Sequence, residues 1–166
     1  MNYQSYINSK IYPLGADLSI VKQWHKEKQR IVFTNGCFDL VHRGHLVYLS
    51  QAAEMGDKLI IGLNTDESVR HLKGTSRPIT DEYSRAFLLA SLCFVDAVML
   101  FNESTPYHLI QQVQPDVLVK GSDYKVEDVV GYDIVRAGGG EVLTLDFLQG
   151  YSTSSIIEKI QQEKQK

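Results

Sequence analysis

The stretch that decides the fold is Arg30-Ile-Val-Phe-Thr-Asn-Gly-Cys-Phe-Asp-Leu-Val-His-Arg-Gly-His45. It opens with a short apolar run, Arg30 to Asn35, that is rich in β-branched and aromatic residues and stops at Gly36, which predicts a buried strand. A helix is predicted directly after it, because apolar residues of the following segment fall on one helical face. These residues are Leu46, Leu49 and Ala53. The stretch therefore predicts a strand that turns sharply into a helix.

Strands and helices alternate along the rest of the chain. Further apolar runs predict strands at residues 58–63, 97–101, 116–120 and 141–145. Helical spacing of apolar residues predicts helices at 18–28, 66–72, 81–93, 105–112 and 152–162. This alternation is typical of an α/β fold, and we predict a single Rossmann-like, doubly wound domain with a parallel sheet of about five strands and helices on both faces. Such sheets bind ligands beyond the carboxyl ends of the strands, where the strand order reverses.

Two segments have weak patterns. Residues 1–16 lack periodicity and contain Pro13 and Gly15, which predicts an irregular arm. With the helix that follows, this arm forms a predicted N-terminal unit, residues 1–29, packed on the main domain, residues 30–166. Residues 121–139 are rich in Gly, Asp and Tyr and predict a long connection. The residues expected to face inward from the helix at 81–93 are Ala86, Leu89, Ala90 and Cys93.

The length and charge of the chain restrict its function. The 166 residues suffice for one domain of ordinary size and are too few for two catalytic domains. A formal net charge of −3 offers no electrostatic footprint for nucleic acid or an anionic membrane, so neither is an expected partner. No apolar stretch reaches the roughly 18 residues of a membrane span, and residues 1–17 lack the apolar centre of a signal peptide, so a cytoplasmic location is expected. Cys37 and Cys93 are expected to stay free thiols.

Two histidines and two glycines lie around the predicted strand-to-helix turn. His42 and His45 are three residues apart, close to one helical turn, so both rings can reach the same small volume. Gly36 and Gly44 lack a Cβ atom and let main-chain N–H groups approach a ligand, and a helix N-terminus favours an anion. This combination predicts a phosphate-binding site.

Two other interpretations of these histidines are open. His42 could cap the helix while His45 forms an ordinary surface hydrogen bond. Cys37, His42 and His45 are also possible zinc ligands, but no fourth Cys or His lies nearby, so Asp39 would have to complete the set. The phosphate site is favoured because two histidines flank a glycine at this junction, and no metal ligand is predicted among the side chains.

The segment Phe33 to His45 resembles the signature of the HxGH nucleotidyltransferases, the cytidylyltransferase-like superfamily, which transfer a nucleoside monophosphate from a triphosphate to a phosphorylated acceptor. The second signature of that superfamily is a Ser/Thr-rich start of the last helix, and Gly150-Tyr-Ser-Thr-Ser154 occupies that place. Helix capping is the alternative role of these hydroxyls, with Ser155 and Glu158 in the spacing of a capping box.

Further segments resemble the adenylyltransferase half of the bifunctional ADP-heptose synthases. The resemblance implies transfer of AMP from ATP to D-glycero-D-manno-heptose 1-phosphate, giving ADP-heptose and pyrophosphate for lipopolysaccharide or surface-glycan precursors. It also implies a homodimer or larger assembly and a separate sugar kinase, because the kinase half of those proteins is not found in this sequence. The segments are Leu63 to Asp66, Leu72 to Gly74, Arg77 to Ile79, Asp116 to Gly121 with Asp123 and Tyr124, and Gly138 to Val142.

The resemblance assigns roles to single residues. His42 and His45 would contact the α- and β-phosphates, Lys73 would close over the phosphates on a mobile loop, and Arg85 would lie near acceptor and phosphates. Mg²⁺ would enter with ATP and keep water ligands rather than a protein cage. The other expected nucleotide contacts are Thr34, Asn35, Gly36, Cys37, Phe38, Gly44, Lys120, Gly121, Asp123, Ser152, Thr153 and Ser154.

Two carboxylates are the expected acceptor contacts. Asp39 follows the first strand, and Asp66 follows the second, where it could instead cap the next helix. Both positions belong to the carboxyl edge of the predicted sheet.

Three other functions share part of these features. A glycerol 3-phosphate cytidylyltransferase has the first motif but carries an arginine at the position of Phe147, and a ring cannot make the charge-assisted hydrogen bonds of an arginine to phosphate. Phe147 could also belong to the core. A regulatory protein would bind the nucleotide without turnover, and a zinc-dependent hydrolase would use the histidines as ligands. The missing cation favours ATP over CTP.

Overall fold

The computed structural model describes residues 2–163, which form eight helices, six strands and one short 3-10 helix, Val126–Asp128. No helix in this part of the chain has the length and apolar character needed to cross a membrane. The helices are α1 (Tyr3–Asn8), α2 (Ser19–Lys26), α3 (Arg43–Ala53), α4 (Asp66–Lys73), α5 (Glu82–Ala90), α6 (Tyr107–Val113), α7 (Tyr132–Ala137) and α8 (Thr153–Glu163). The strands are β1 (Ile11–Tyr12), β2 (Ile31–Gly36), β3 (Lys58–Asn64), β4 (Ala97–Phe101), β5 (Val117–Gly121) and β6 (Glu141–Leu145).

The six strands form one parallel sheet in the order β1-β4-β3-β2-β5-β6. Helices cover both faces, so the predicted Rossmann-like α/β class is confirmed. The five predicted strands lie within one residue of strands β2 to β6. Their apolar runs were continuous because a strand between two layers of helices buries both of its faces.

The central strand β2 shows how the two faces are filled. Successive side chains of a strand point to opposite sides. Ile31 and Phe33 pack in the core that contains Trp24 of α2, while Val32 packs in the core that contains Leu49 of α3. These residues are all buried, and β2 is therefore held in place from both sides.

The predicted irregular arm is wrong for the part that the structure describes, because residues 2–16 contain α1 and β1. Strand β1 adds a sixth strand at the edge of the sheet, with Ile11 opposite Val98 of β4. Lys10 fixes the segment from inside, since its side chain is buried and its Nζ donates to the carbonyl oxygen of Val95 at 2.8 Å. A two-residue strand is too short to show an alternating pattern, so the sequence carried no signal for it.

Three further expectations about local structure are wrong. Cys93 is exposed rather than inward, because α5 ends at Ala90 and the N–H of Ser91 already bonds back to the carbonyl of Phe87. Leu46 is exposed on α3, whose apolar face is instead formed by Tyr48, Leu49 and Ala52. The long connection at 121–139 contains the 3-10 helix and α7.

The order of the strands fixes where a ligand can bind. From β2 the chain moves outward on one side to β3 and β4, and then returns to place β5 on the other side of β2. The strand order therefore reverses between β2 and β5, which end at Gly36 and Gly121. Crevices at such a switch point are the usual ligand sites of open α/β sheets.

The buried contact of Lys10 can be tested by replacing it. Lys10→Met should lower the free energy of unfolding by about 1.5 to 3 kcal/mol, because a buried carbonyl oxygen loses a charged donor. Urea denaturation gives the value. Lys22→Met on α2, where the lysine is exposed, is the matched control and should change stability by less than about 0.5 kcal/mol. Equal losses in both variants would contradict the anchoring role of Lys10.

Candidate active site

A cavity of about 160 Å³ opens at the switch point between β2 and β5. The end of β2 and the loop after it contribute Asn35, Gly36, Cys37, Phe38 and Asp39 to its wall. Helices α3, α4 and α8 contribute His45, Lys73 and Thr153, and the end of β5 contributes Lys120, Gly121 and Asp123. The structure thus brings eleven of the predicted site residues to one cavity. Roles in binding and catalysis stay predictions.

The two histidines form a stacked pair at the start of α3. Their ring centroids are 3.9 Å apart and the ring planes differ by 23°. His42 is the residue before the helix, and its main-chain N–H donates to Nδ1 of His45 at 3.4 Å. Because Nδ1 of His45 accepts this bond, the proton of the neutral ring lies on Nε2. The ring of His45 therefore has an N–H group left for a ligand.

Burial keeps both histidine rings neutral near pH 7. Burial, with smaller effects of the charges of His42 and Lys73, lowers the pKa of His45 to about 4. Burial also lowers the pKa of His42. A neutral imidazole can still donate a hydrogen bond to a phosphate oxygen, so the pair is suited to bind an anion without taking a proton from it.

Gly44 makes room for the ring of His42 and for Tyr151 in the segment before α8. A Cβ atom at this position would lie 3.0 Å from the ring of His42 and 3.1 Å from Cβ of Tyr151. Gly44 therefore does not line the cavity but lets the segment before α8 approach the start of α3. His42 does not line the cavity either, and its Nδ1 has no hydrogen-bond partner among residues 2–163.

Asp39 holds the segment after α4 against the cavity. Its carboxylate accepts hydrogen bonds from Nε of Arg77 at 2.6 Å and from the main-chain N–H groups of Ile79 and Thr80 at 2.8 and 2.9 Å. Burial alone would raise the pKa of Asp39, but these hydrogen bonds and the Arg77 charge outweigh it and lower the pKa. The carboxylate of Asp39 therefore already accepts hydrogen bonds within the protein. The predicted contact with the acceptor requires instead a carboxylate that is free to bind the substrate.

Arg85 and Asp66 lie beside the cavity and bind each other. Nη2 of Arg85 is 2.7 Å from Oδ1 of Asp66, and Nη1 and Nε donate to the carbonyl oxygens of Cys37 and Thr80. The side chain of Arg85 is 1% exposed. Neither residue lines the cavity, so the structure does not place them where a direct contact with phosphate or acceptor was expected. Arg85 instead holds the loop after β2 through the carbonyl oxygen of Cys37.

The hydroxyl groups of Thr34 and Thr65 form hydrogen bonds within the protein. Thr34 is fully buried beneath the cavity, 2.8 Å from the hydroxyl of Tyr48, which donates to the carbonyl of Val119. Thr65, not Asp66, caps α4, because Oγ1 of Thr65 accepts from the N–H of Ser68. Asp66 is already the first residue of that helix, so the predicted capping role of Asp66 is wrong.

The start of α8 is capped by Ser152. Oγ of Ser152 accepts from the N–H of Ser155 at 3.0 Å, so the predicted capping box with Ser155 as its first residue is wrong, since Ser155 lies inside the helix. Thr153 reaches the cavity, and its hydroxyl donates to the carbonyl of Leu40. Ser152 and Ser154 are exposed and do not line the cavity.

The cavity carries positive charge. Nζ of Lys120 is 3.4 Å from the carbonyl oxygen of Asn35, and burial lowers its pKa while the charges of Asp123 and Cys37 act against that effect. Lys73 is exposed at the end of α4 and is followed by Gly74, whose φ of +92° ends the helix. Among residues 2–163, neither lysine forms a salt bridge with a carboxylate. Their charges are thus available to an anion.

Four residues that line the cavity were not among the predicted site residues: Tyr48, Arg77, Tyr124 and Phe147. Arg77 carried a signal, because it lies in a segment that matches the resemblance, but nothing in its neighbourhood showed that it would pair with Asp39. Phe147 is 49% exposed and lines the cavity, so the interpretation as a core residue is wrong. Within residues 2–163, no group of three or more His, Cys, Asp or Glu side chains is arranged to hold a metal ion.

The chain is similar to known proteins in both sequence and structure. The family model described as cytidylyltransferase-like matches residues 33–159. The Bifunctional protein HldE of a Nitratiruptor species is 55% identical over 141 residues, which are 85% of this chain and 30% of that protein. The Bifunctional protein HldE of Methylobacillus flagellatus is 52% identical over 151 residues, 91% of this chain and 31% of that protein. The chain spans about a third of the length of these curated relatives.

A solved structure shows the same fold. The lipopolysaccharide core biosynthesis protein from Thermoplasma volcanium matches with a TM-score of 0.60 and 28% sequence identity. The match covers 75% of this chain and 99% of that one. The sequence family, the parallel sheet and the cavity at its switch point agree, and this chain belongs to the cytidylyltransferase-like family.

Proposed function

We propose that this protein is a heptose 1-phosphate adenylyltransferase. It transfers AMP from ATP to D-glycero-D-manno-heptose 1-phosphate and releases ADP-heptose and pyrophosphate, as a step toward lipopolysaccharide or surface-glycan precursors. The observation that carries the proposal is the cavity at the switch point, where His45, stacked on His42, and two lysines converge on one volume. The chain is also about half identical to the HldE proteins.

The reaction needs positioning and stabilisation of charge rather than a covalent enzyme intermediate. An oxygen of the sugar phosphate attacks the α-phosphorus of ATP, a new P–O bond forms, and the bond to the β-phosphate oxygen breaks with pyrophosphate as the leaving group. The Nε2–H group of His45 and the main-chain N–H groups of Gly36 to Phe38 donate to phosphate oxygens as charge develops there. Donors held in place before the reaction lower its barrier most.

Positive charge in the cavity serves the leaving group. Lys120 lies beside the end of β2, and Lys73 approaches from the end of α4, so the two cations reach the triphosphate from different elements. Lys73 is followed by a glycine and is exposed, which lets its side chain close onto the phosphates after ATP binds. Closure of such a segment would act on turnover more than on binding.

Mg²⁺ is proposed to enter with ATP. Bound to the triphosphate, it neutralises charge on the phosphate oxygens and favours the departure of pyrophosphate. The side chains fit an ion that keeps several waters: Asp123 offers one exposed carboxylate in the cavity, whereas Asp39 is occupied by the segment of residues 77–80.

The further partners follow from the chemistry of the substrate. A sugar kinase that phosphorylates the anomeric hydroxyl is proposed to act before this enzyme, as the resemblance to the bifunctional ADP-heptose synthases implies. A cytoplasmic location, where ATP is supplied, and a homodimer or larger assembly are part of the same proposal. The alternative of a cytidylyltransferase is disfavoured, because Phe147 occupies the place in the cavity wall where the resembling cytidylyltransferases carry an arginine.

The substrate assignment is tested by measuring pyrophosphate release. ATP and CTP are each combined with heptose 1-phosphate and with glycerol 3-phosphate in the presence of Mg²⁺. We expect ATP with heptose 1-phosphate to be the best pair, and ATP to exceed CTP at least about tenfold in kcat/KM, which is about 1.4 kcal/mol. Equal or better turnover of CTP with glycerol 3-phosphate would overturn the proposal. Tight ATP binding without turnover on any acceptor would indicate a regulatory protein.

The histidine pair is tested by His42→Ala and His45→Ala. Each should lower kcat about 10²-fold or more, because one preorganised donor to the developing charge typically contributes that much. His45 stays neutral above its pKa of about 4, so its protonation should add no change in kcat between pH 6 and 8. Steady-state kinetics and circular dichroism are the measurements. His108→Ala, on the exposed surface of α6, is the control and should keep wild-type activity. Unchanged kcat in both test variants contradicts the phosphate-binding role.

Lys73→Ala tests the closing segment. If Lys73 contacts the phosphates only during the reaction, its loss should lower kcat at least about tenfold and change the KM for ATP little. Arg70→Ala is the matched control, since Arg70 is an exposed cation one turn earlier on α4 and does not line the cavity. A rise in the KM for ATP alone would show that Lys73 is an ordinary binding contact.

A further inference from the structure

Two aromatic side chains border the cavity beside the end of β5. Phe147 and Tyr124 each remain 49% exposed, and both line the cavity. Neither has a charge to offer to a phosphate, and the proposed transfer reaction gives them no role. Exposed apolar surface inside a binding cavity is most readily explained by a ligand with an apolar face.

Phe147 rests on a rigid support. A Cβ atom at Gly121 would lie 2.1 Å from Cε2 and Cζ of Phe147, so the ring packs directly on the backbone of Gly121. On another side, the ring of Tyr48 lies 5.6 Å away, centroid to centroid. Tyr48 is buried, and its hydroxyl is held by Thr34 and Val119. The ring of Phe147 is thus supported from beneath while about half of the residue stays accessible.

Tyr124 is tied to the same turn and to the phosphate end of the cavity. Its N–H donates to the carbonyl oxygen of Gly121 at 3.2 Å, which closes the turn after β5. Its ring lies 5.5 Å from Nζ of Lys120, and the same Nζ is 3.4 Å from the carbonyl oxygen of Asn35. One lysine therefore bridges from the end of β2, where phosphates are proposed to bind, to the aromatic pair.

We infer that Phe147 and Tyr124 form a stacking platform for the base of the nucleoside triphosphate. The inference deepens the proposed function and rests on it. A nucleotide has a charged triphosphate and a flat base, and the cavity has a polar end and an aromatic end in the same arrangement. Stacking on an aromatic ring adds affinity for any base and adds more for a purine, whose flat surface is larger. The platform thereby favours ATP over CTP.

The platform is tested by comparing two ligands that share the phosphates but not the base. Binding of ATP and of inorganic tripolyphosphate, both with Mg²⁺, is measured by calorimetry on the wild-type protein and on Phe147→Ala. The variant should raise the Kd for ATP at least about fivefold, the lower end of the contribution of base–aromatic stacking. The Kd for tripolyphosphate should change less than about twofold. Phe147→Trp keeps a stacking surface and should retain ATP binding.

A matched control removes another phenylalanine ring. Phe87 is a partly exposed ring on α5 that does not line the cavity, so Phe87→Ala should leave both Kd values unchanged. Equal weakening of both ligands by Phe147→Ala would overturn the platform, and so would ATP binding that does not depend on Phe147 or that is no tighter than tripolyphosphate binding. The experiment uses no sugar phosphate, so a failure of AMP transfer to heptose 1-phosphate is a separate result.

Discussion

The buried guanidinium of Arg85 holds three segments together at the carboxyl edge of the sheet. It donates to the carbonyl oxygens of Cys37 and Thr80 and pairs with Asp66 at the start of α4. A buried charged group needs partners for its N–H groups, so these contacts determine the loop conformation after β2. Asp39 adds a second connection from that loop to the segment that follows α4. The main-chain N–H groups proposed to bind phosphate depend on this junction, because donors stabilise a transition state best when they are already in place.

The two ends of the cavity separate two recognition tasks. At the polar end, His45 and the cations Lys73 and Lys120 are suited to phosphate oxygens, and burial keeps His45 neutral near pH 7. At the other end, Phe147 and Tyr124 present rings of low polarity. Both ends meet at the switch point because β2 and β5, distant in sequence, are neighbours in the sheet. The fold thus joins a charged and an apolar subsite within the reach of one ligand.

The local pattern of residues in the sequence was sufficient to predict most of the architecture and the position of the candidate site. The five long strands were predictable, because continuous apolar runs are required when both faces of a sheet are covered. The strand-to-helix turn that contains His42, Gly44 and His45 was predictable because its residues are neighbours in sequence, and the same holds for the clustering of Lys120 and Gly121 at the end of β5. Such features depend on the order of residues along the chain and on rules for parallel sheets.

By itself, the sequence determined the α/β class, the strand positions and the place of the His42 and His45 motif at a strand-to-helix turn, because each depends on residues that are close along the chain. Only the tertiary structure decided the roles of residues whose partners lie far away. The contact of Arg85 with Cys37 spans 48 positions, and that of Lys10 with Val95 spans 85. Phe147 became part of the cavity wall because its ring packs on Gly121, a contact set by the pairing of β5 with β6. No periodicity encodes contacts of this kind, since they exist only after the sheet has brought distant segments together.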